Sequence, residues 1–363
     1  VALIDLFSGP DGSAGPAMRN GLELEAAGLN AGGGLLGSRI EIVAADAAGD
    51  PARAAALVRE QVGGAGVALV VGPDTTAGFQ AARASLDGAG VPNCLTGVAD
   101  GALRGAGATF LAGPANSAEV GALLDAVRRA RPDVRKIGLL DEGDELGASY
   151  DAQLASRAPG AGLSYVGRAS AGESGDQRAA LQQLAARGAQ VVVVSERPLG
   201  AARAAAADAQ LDAAARPQLA GFAALADYGF ASLGGDAAAG ALVVATPQAY
   251  LTSAPQARWP AGYRAFVAAA GQQYGFGEQG AQLQAAPAAA DCLLQWADAA
   301  RSAGTFAGAA VASAWERLDL PASATALGVE ERPTPADHAT VAQPSLRAYR
   351  WTRAGTRYQL QPV

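Results

Sequence analysis

Two hydroxyls with the chemistry to grip a small anion stand together in Asp74-Thr75-Thr76. They follow an apolar run at 67–71 that Gly72-Pro73 ends, and they open a helical pattern over 75–89. Hydroxyls at a helix start, beside unpaired backbone N–H groups, can hold a carboxylate, although one of the two threonines can equally be an ordinary N-cap. Thr96-Gly97-Val98-Ala99 follows the next strand signal at 91–95, and the loop 8–14 follows the first at 1–4. Ligands of parallel sheets sit outside the strand carboxyl ends, where helix N-termini point, so these loops are the candidate binding elements.

Other possible chemistry is weaker. Gly32-Gly33-Gly34-Leu35-Leu36-Gly37 matches the glycine pattern of dinucleotide sites, but it follows a helix and precedes a strand, the reverse of the required order. His338 is the only histidine. A histidine-rich metal centre is excluded, no G-x-S-x-G elbow supplies a nucleophile, and a structural role for His338 is expected. Asp141, Glu142, Asp144 and Glu145 cluster after a strand. A calcium cage is one option, a solvated loop the favoured one. Cys94 and Cys292 fit no metal spacing and read either as two buried small side chains or as a disulfide in an oxidising compartment. No cofactor and no metal are expected, and the missing nucleophile–base pair argues against an enzyme.

The elements that must position these loops alternate. The chain has 363 residues, half of them apolar, which suits two domains. Its formal net charge of -7 argues against a nucleic-acid partner, and no apolar run is long enough to span a bilayer. Strand signals at 1–4, 40–43, 67–71, 91–95, 137–140, 163–166, 191–194, 218–220 and 241–244 are separated by helical patterns at 75–89, 117–130, 147–156, 176–187 and 200–211. This wiring predicts parallel sheets covered on both faces. Gly113-Pro114 interrupts it and divides the strands into two sets. After Thr246-Pro247 helices dominate at 257–274, 279–303 and 306–318, and alternating segments at 346–352 and 358–361 predict a terminal hairpin.

A set of short sequence words then resembles one family. Phe7-Ser8-Gly9-Pro10, Asn20-Gly21, Asn30-Ala31-Gly32-Gly33, Ile40-Glu41-Ile42-Val43, Gly49-Asp50-Pro51, Val71-Gly72-Pro73, Ala89-Gly90-Val91-Pro92 and Asp337-His338 stand in the order found in leucine/isoleucine/valine-binding proteins. These are type I periplasmic solute receptors of ABC importers. The resemblance implies an α/β fold of two Rossmann-like lobes joined by three hinge crossings, near Gly113-Pro114, near Thr246-Pro247 and between 320 and 328. The expected lobes are 1–113 with 248–322, and 114–247 with 323–363, with the ligand cleft between them. The resemblance further implies capture of a small ligand by hinge closure, delivery to permease subunits, a monomer, and a periplasmic or membrane-anchored location, with any export signal removed ahead of Val1. A ligand sensor of the same fold is the alternative.

Carried over from the family, the ligand's carboxylate belongs at Thr75, Thr76 and the Gly97-Val98-Ala99 backbone, with Asp74 beside them among the ligand-binding residues. The departures fall on the rest of the pocket. Ala14 stands where an aromatic is common, Ala99 where a hydroxyl is usual, and Leu146 where a tyrosine precedes glycine. Glu196 replaces a second aromatic, and Phe222 and Ala223 lie where an acid holds the ligand's ammonium. The expected ligand is an amino acid or an apolar or aromatic carboxylate. Glu196 either holds a donor group of the ligand or is a solvated rim residue.

Overall fold

The opening apolar run becomes the first strand of a parallel sheet because Leu3 on one face and Ala2 and Ile4 on the other enter different cores. The computed structural model describes residues 1–9, 12, 14–64, 66–172, 175–213, 216–251, 254–275 and 282–363, apart from the side chains of Tyr228 and of residues 282–284. Parts of the loop 8–14 and the first residues of the helix expected from 279 lie outside the described residues. The chain divides into two units, Val1–Ala115 with Ala257–Ala342, and Asn116–Gln256 with Gln343–Val363.

The first unit contains β1 (Ala2–Asp5), α1 (Ala14–Ala31), β2 (Val43–Asp46), α2 (Pro51–Gly63), β3 (Val70–Val71), α3 (Thr76–Ala89), β4 (Asn93–Leu95) and β5 (Thr109–Pro114). The second contains α4 (Asn116–Ala130), β6 (Lys136–Asp141), α5 (Glu145–Arg157), β7 (Ser164–Ser170), α6 (Gln177–Ala186), β8 (Val191–Ser195), α7 (Pro198–Asp208), β9 (Gln218–Gly221), α8 (Tyr228–Gly234), β10 (Leu242–Ala245) and α9 (Gln248–Leu251). The chain returns to the first unit for α10 (Ala261–Tyr274), α11 (Gln282–Ala303), α12 (Gly308–Trp315) and β11 (Ala339–Val341), and to the second for β12 (Arg347–Ala354) and β13 (Arg357–Pro362).

The first sheet runs β11-β5-β4-β3-β1-β2, all parallel. The second runs β13-β12-β10-β9-β8-β6-β7, parallel except for the edge hairpin, where β12 pairs antiparallel with both β10 and β13. Helices pack on the faces, as crossovers between parallel strands require. Sequence cues explain several of them. Asp50 caps α2 by accepting from Ala52 N at 2.8 Å, with Pro51 in the first turn. Gly90, at φ +63°, ends α3 in the left-handed conformation.

The structure refines the expected boundaries. Of the residues 40–43 expected as a strand, only Val43 is in one. Asn30 holds Ile40 through both side-chain atoms, at 2.8 and 2.9 Å, and β2 starts at Val43, in register with Ala2. Gly113-Pro114 closes β5, a strand the sequence did not mark, and the chain crosses to the second unit directly after it, as expected. The third crossing lies at 342–343 rather than between 320 and 328, because Ala339–Val341 pairs with β5 and carries 323–342 into the first unit. Residues 248–256 likewise belong to the second unit rather than the first, with α9 packed on the hairpin.

Cys94 in β4 and Cys292 in α11 form a disulfide, Cα atoms 5.8 Å apart across 198 residues of chain. It lies inside the core that also holds Phe110, Trp296 and Trp315. Trp315 and His338 both stack on Phe110 at 4.4 Å. His338 Nδ1 donates to the Thr109 carbonyl at 2.8 Å, and Nε2 lies 3.3 Å from Glu316. The histidine therefore ties β11 to β5.

Candidate functional site: the strand carboxyl ends of each unit

In the first unit, β1, β3 and β4 end in the loops singled out above. Gly72 turns the chain out of β3 at φ +82°, where a Cβ would meet the Ile4 carbonyl at 2.1 Å, so only glycine fits. Asn93 supports the turn by donating to Val70 O and Gly72 O at 3.1 and 2.7 Å. Thr75 is the N-cap of α3, its hydroxyl accepting from Gly78 N at 3.1 Å. The Thr76 hydroxyl accepts from Ala99 N at 3.0 Å. The half-buried Asp74 carboxylate accepts from Thr96 N at 2.7 Å, from Gly97 N at 3.4 Å and from the Thr96 hydroxyl. The loop's hydroxyls and most of its named donors are thus engaged within the chain. Val98 is buried in the core beside α3, Ala99 is buried next to it in the chain, and Gly97 is exposed. Ala14 is half-buried at the start of α1.

Two further carboxylates lie at this edge. Asp46, at the end of β2, accepts from Phe7 N at 3.0 Å, Ser8 Oγ at 2.6 Å and Ala48 N at 2.8 Å. The Ser8 hydroxyl, then the Phe7 N–H, hold its carboxyl below the usual range. Asp5, opposite it in register, is 2% exposed. Its Oδ2 has no hydrogen-bond partner among the described residues. Burial, then the neighbouring Asp74 charge, push its carboxyl up to about 8. Burial also raises Asp74, against the pull of the Thr96 and Gly97 donors. Asp5 was not singled out from sequence; the available signal was a charged residue closing an apolar strand.

In the second unit, Asp144 rather than a threonine caps the helix after β6, accepting from Gly147 N at 2.8 Å. Leu146 is half-buried in that first turn. The acidic cluster is only partly a solvated loop. Asp141 is fully buried, accepting from Gly143 N at 3.0 Å and from the Ser170 hydroxyl, with Arg168 at 3.4 Å. A Cβ on Gly147 would meet Asp141 Oδ2 at 2.6 Å, so the close approach of α5 requires glycine. Glu142 pairs with Arg197 at 2.7 Å. No group of metal-ligating side chains forms among the described residues.

Glu196 is not a solvated rim residue. It is 5% exposed, and Gln177 Nε2 donates to both its oxygens at 3.0 and 2.8 Å. Burial pushes its carboxyl up to about 7, Gln177 opposing and the Glu142 and Asp141 charges adding to the rise. Phe222 is also buried, stacked on Tyr150 at 4.4 Å, while Ala223 is exposed at the start of a short turn. Gln177, whose role here no sequence pattern marked, fixes the Glu196 carboxylate.

Two α/β units with helix-capped loops at their strand ends, threaded by three crossings of one chain, define a type I periplasmic binding protein fold. The sequence profile of the periplasmic binding protein family matches residues 1–356, and the chain belongs to that family. No curated protein matches it in sequence. Among solved structures it resembles a type 1 periplasmic binding protein from Bordetella pertussis Tohama I (17% identity, TM-score 0.86, 100% of this chain and 99% of that one). It also resembles the branched-chain amino acid transporter substrate-binding protein LivJ from Streptococcus pneumoniae in complex with isoleucine (20%, 0.76, 100% and 99%). A third is an ABC transporter solute-binding protein from R. palustris in complex with 4-hydroxybenzoate (16%, 0.82, 100% and 95%). No helix among the described residues is long and apolar enough to cross a membrane.

Proposed function

We propose that this protein is an extracytoplasmic solute receptor of an ABC importer, capturing a small organic ligand by hinge movement and passing it, chemically unchanged, to permease subunits. The observation that carries the reading is the loop set of the first unit. Three parallel strands, β1, β3 and β4, deliver residues 74–76 and 96–99 to one edge, with the start of α3 among them. That is where open α/β sheets bind ligands. Similar folds occupied by isoleucine and by 4-hydroxybenzoate support a ligand of amino-acid or aromatic-acid size. Gly97 and Asp74 in the first unit, and Leu146 and Ala223 in the second, are the contacts this reading assigns to the ligand. Val98, Ala99, Glu196 and Phe222 shape the surface from beneath.

Calorimetry of the full chain against amino acids, aromatic acids and amines should give heat with at least one compound, recovered unchanged afterwards. Silence across the whole library, or turnover of a bound compound, would overturn the reading. The double variant Thr75→Ala with Thr76→Ala should weaken the binding found by about 1–3 kcal/mol, since the Gly78 and Ala99 N–H groups lose their acceptors and the loop its shape.

A further inference from the structure

The first unit's loop holds an anion of its own. Thr96 N, the Thr96 hydroxyl and Gly97 N converge as donors for a carboxylate, and the carboxylate they bind is that of Asp74. Ala99 N, the next donor along the loop, is taken by Thr76. A ligand carboxylate placed here would have to displace Asp74 from three hydrogen bonds, beside two further acids. Of those, Asp46 is satisfied by three donors, whereas the buried Asp5 leaves Oδ2 without a partner among the described residues. The β1–β2 and β1–β3 registers bring Asp5 to the same edge as Asp46 and the loop that follows β3, where the Asp74 and Asp46 charges act to raise its carboxyl. No ion pair engages Asp5 or Asp74 among the described residues. An orphan acceptor behind a half-buried carboxylate with no ion-pair partner among the described residues is the complement of a positively charged donor.

We infer that the strand-end site of the first unit takes a cationic head group, an ammonium or amidinium, with Asp74 in contact and Asp5 supplying the second acceptor behind it, and that Asp74 turns carboxylates away. This rests on the solute-receptor reading and sharpens it by reversing the expected charge of the ligand's head. The carboxylate-gripping loop foreseen from Thr75, Thr76 and Gly97 is present in geometry but filled from within.

The test uses charge-reversed probes of equal shape, benzamidine against benzoate and 3-methylbutylamine against 4-methylpentanoate, titrated calorimetrically into the full chain. At least one cation should bind about tenfold or more tightly than its anionic counterpart. Asp74→Asn should weaken that cation about tenfold and narrow or reverse the preference. Asp5→Asn, which leaves the loop's hydrogen bonds intact, should weaken it about three- to tenfold and carries the test if the first variant does not fold. Tighter binding of either carboxylate, silence of both cations at millimolar concentration, or unchanged cation affinity in a folded variant overturns the inference. Native mass spectrometry separates the two levels. A carboxylic acid retained from the expression host sinks the cationic head group and leaves the solute-receptor reading standing. No retained ligand together with silence across the wider library sinks both.

Discussion

At the strand ends of the second unit acids form ion pairs with arginines; at those of the first none does among the described residues. Asp141 lies 3.4 Å from Arg168 and Glu142 lies 2.7 Å from Arg197, and even Glu196 has both oxygens held by an amide. Asp74 and Asp46 accept hydrogen bonds from hydroxyls and backbone N–H groups, with the Arg53 charge acting on Asp46 at longer range, and one oxygen of Asp5 is held by nothing described. Hydroxyls and amides stabilise an ionised carboxylate without cancelling its charge, whereas a guanidinium does both. Each unit therefore solves the desolvation of its acids differently, and only in the first do the strand-end acids Asp5 and Asp74 stand without an ion-pair partner among the described residues.

The largest expected effect concerns what holds that edge in place. β4, which delivers Thr96 and Gly97, is tied to α11 by the Cys94–Cys292 disulfide. Reduction, or Cys94→Ala with Cys292→Ala, should cost about 2–5 kcal/mol in denaturant unfolding. The loss should fall on the first unit and leave the exposure of Trp351, in the core of the second, unchanged at low denaturant. Simultaneous loss of both units would show that the comparison treats as separate what folds together.

Asp5 supplies the next test. Its folded carboxyl titrates near 8, above about 3.9 for an unfolded aspartate. Between these values the native state binds the extra proton, so Asp5 lowers stability progressively as pH rises from about 4 to about 8. Asp5→Asn should match the wild type near pH 4 and exceed it by about 1–3 kcal/mol at pH 8, measured by urea unfolding at both. A more stable variant that binds less well would be the signature of an acid retained for function. Equal stability at pH 8 would mean that the two strand ends do not differ in compensation.

In the second unit the corresponding change is Gln177→Leu. It removes the only described donor to Glu196 and should cost about 1–3 kcal/mol at pH 8. Glu196 titrates near 7, also above its unfolded value, so the cost should shrink as pH falls toward 5 and the carboxyl protonates. Smallest of all, Thr75→Ala alone should lose about 0.5–2 kcal/mol through the α3 cap, seen as a lower thermal midpoint.

Much of this framework is legible before folding. The helix starts at Asp50-Pro51 and Thr75 follow from capping chemistry, the strands from apolar runs, and the loops of the site from their places after those strands. Illegible were features that depend on a distant neighbour. Ile40 and Ile42 alternate as a strand should, yet the Asn30 side chain claims the Ile40 backbone. Ala339–Val341 is too short to be marked by pattern, and it becomes a strand only where β5 offers an edge. Glu196 looks like any surface glutamate until Gln177, nineteen residues earlier, closes over it.

The sequence by itself determined the family, through the order of its short words, and the parallel α/β architecture, through alternating periods. Both rest on local backbone preference and face-by-face burial, which neighbouring residues encode. Tertiary structure alone decided that Cys94 meets Cys292, that the third crossing falls at 342–343, and that the donors around Thr96 are spent on Asp74. Those outcomes rest on pairings across about 20 to 230 residues, chosen by which buried groups can satisfy one another once the cores have closed.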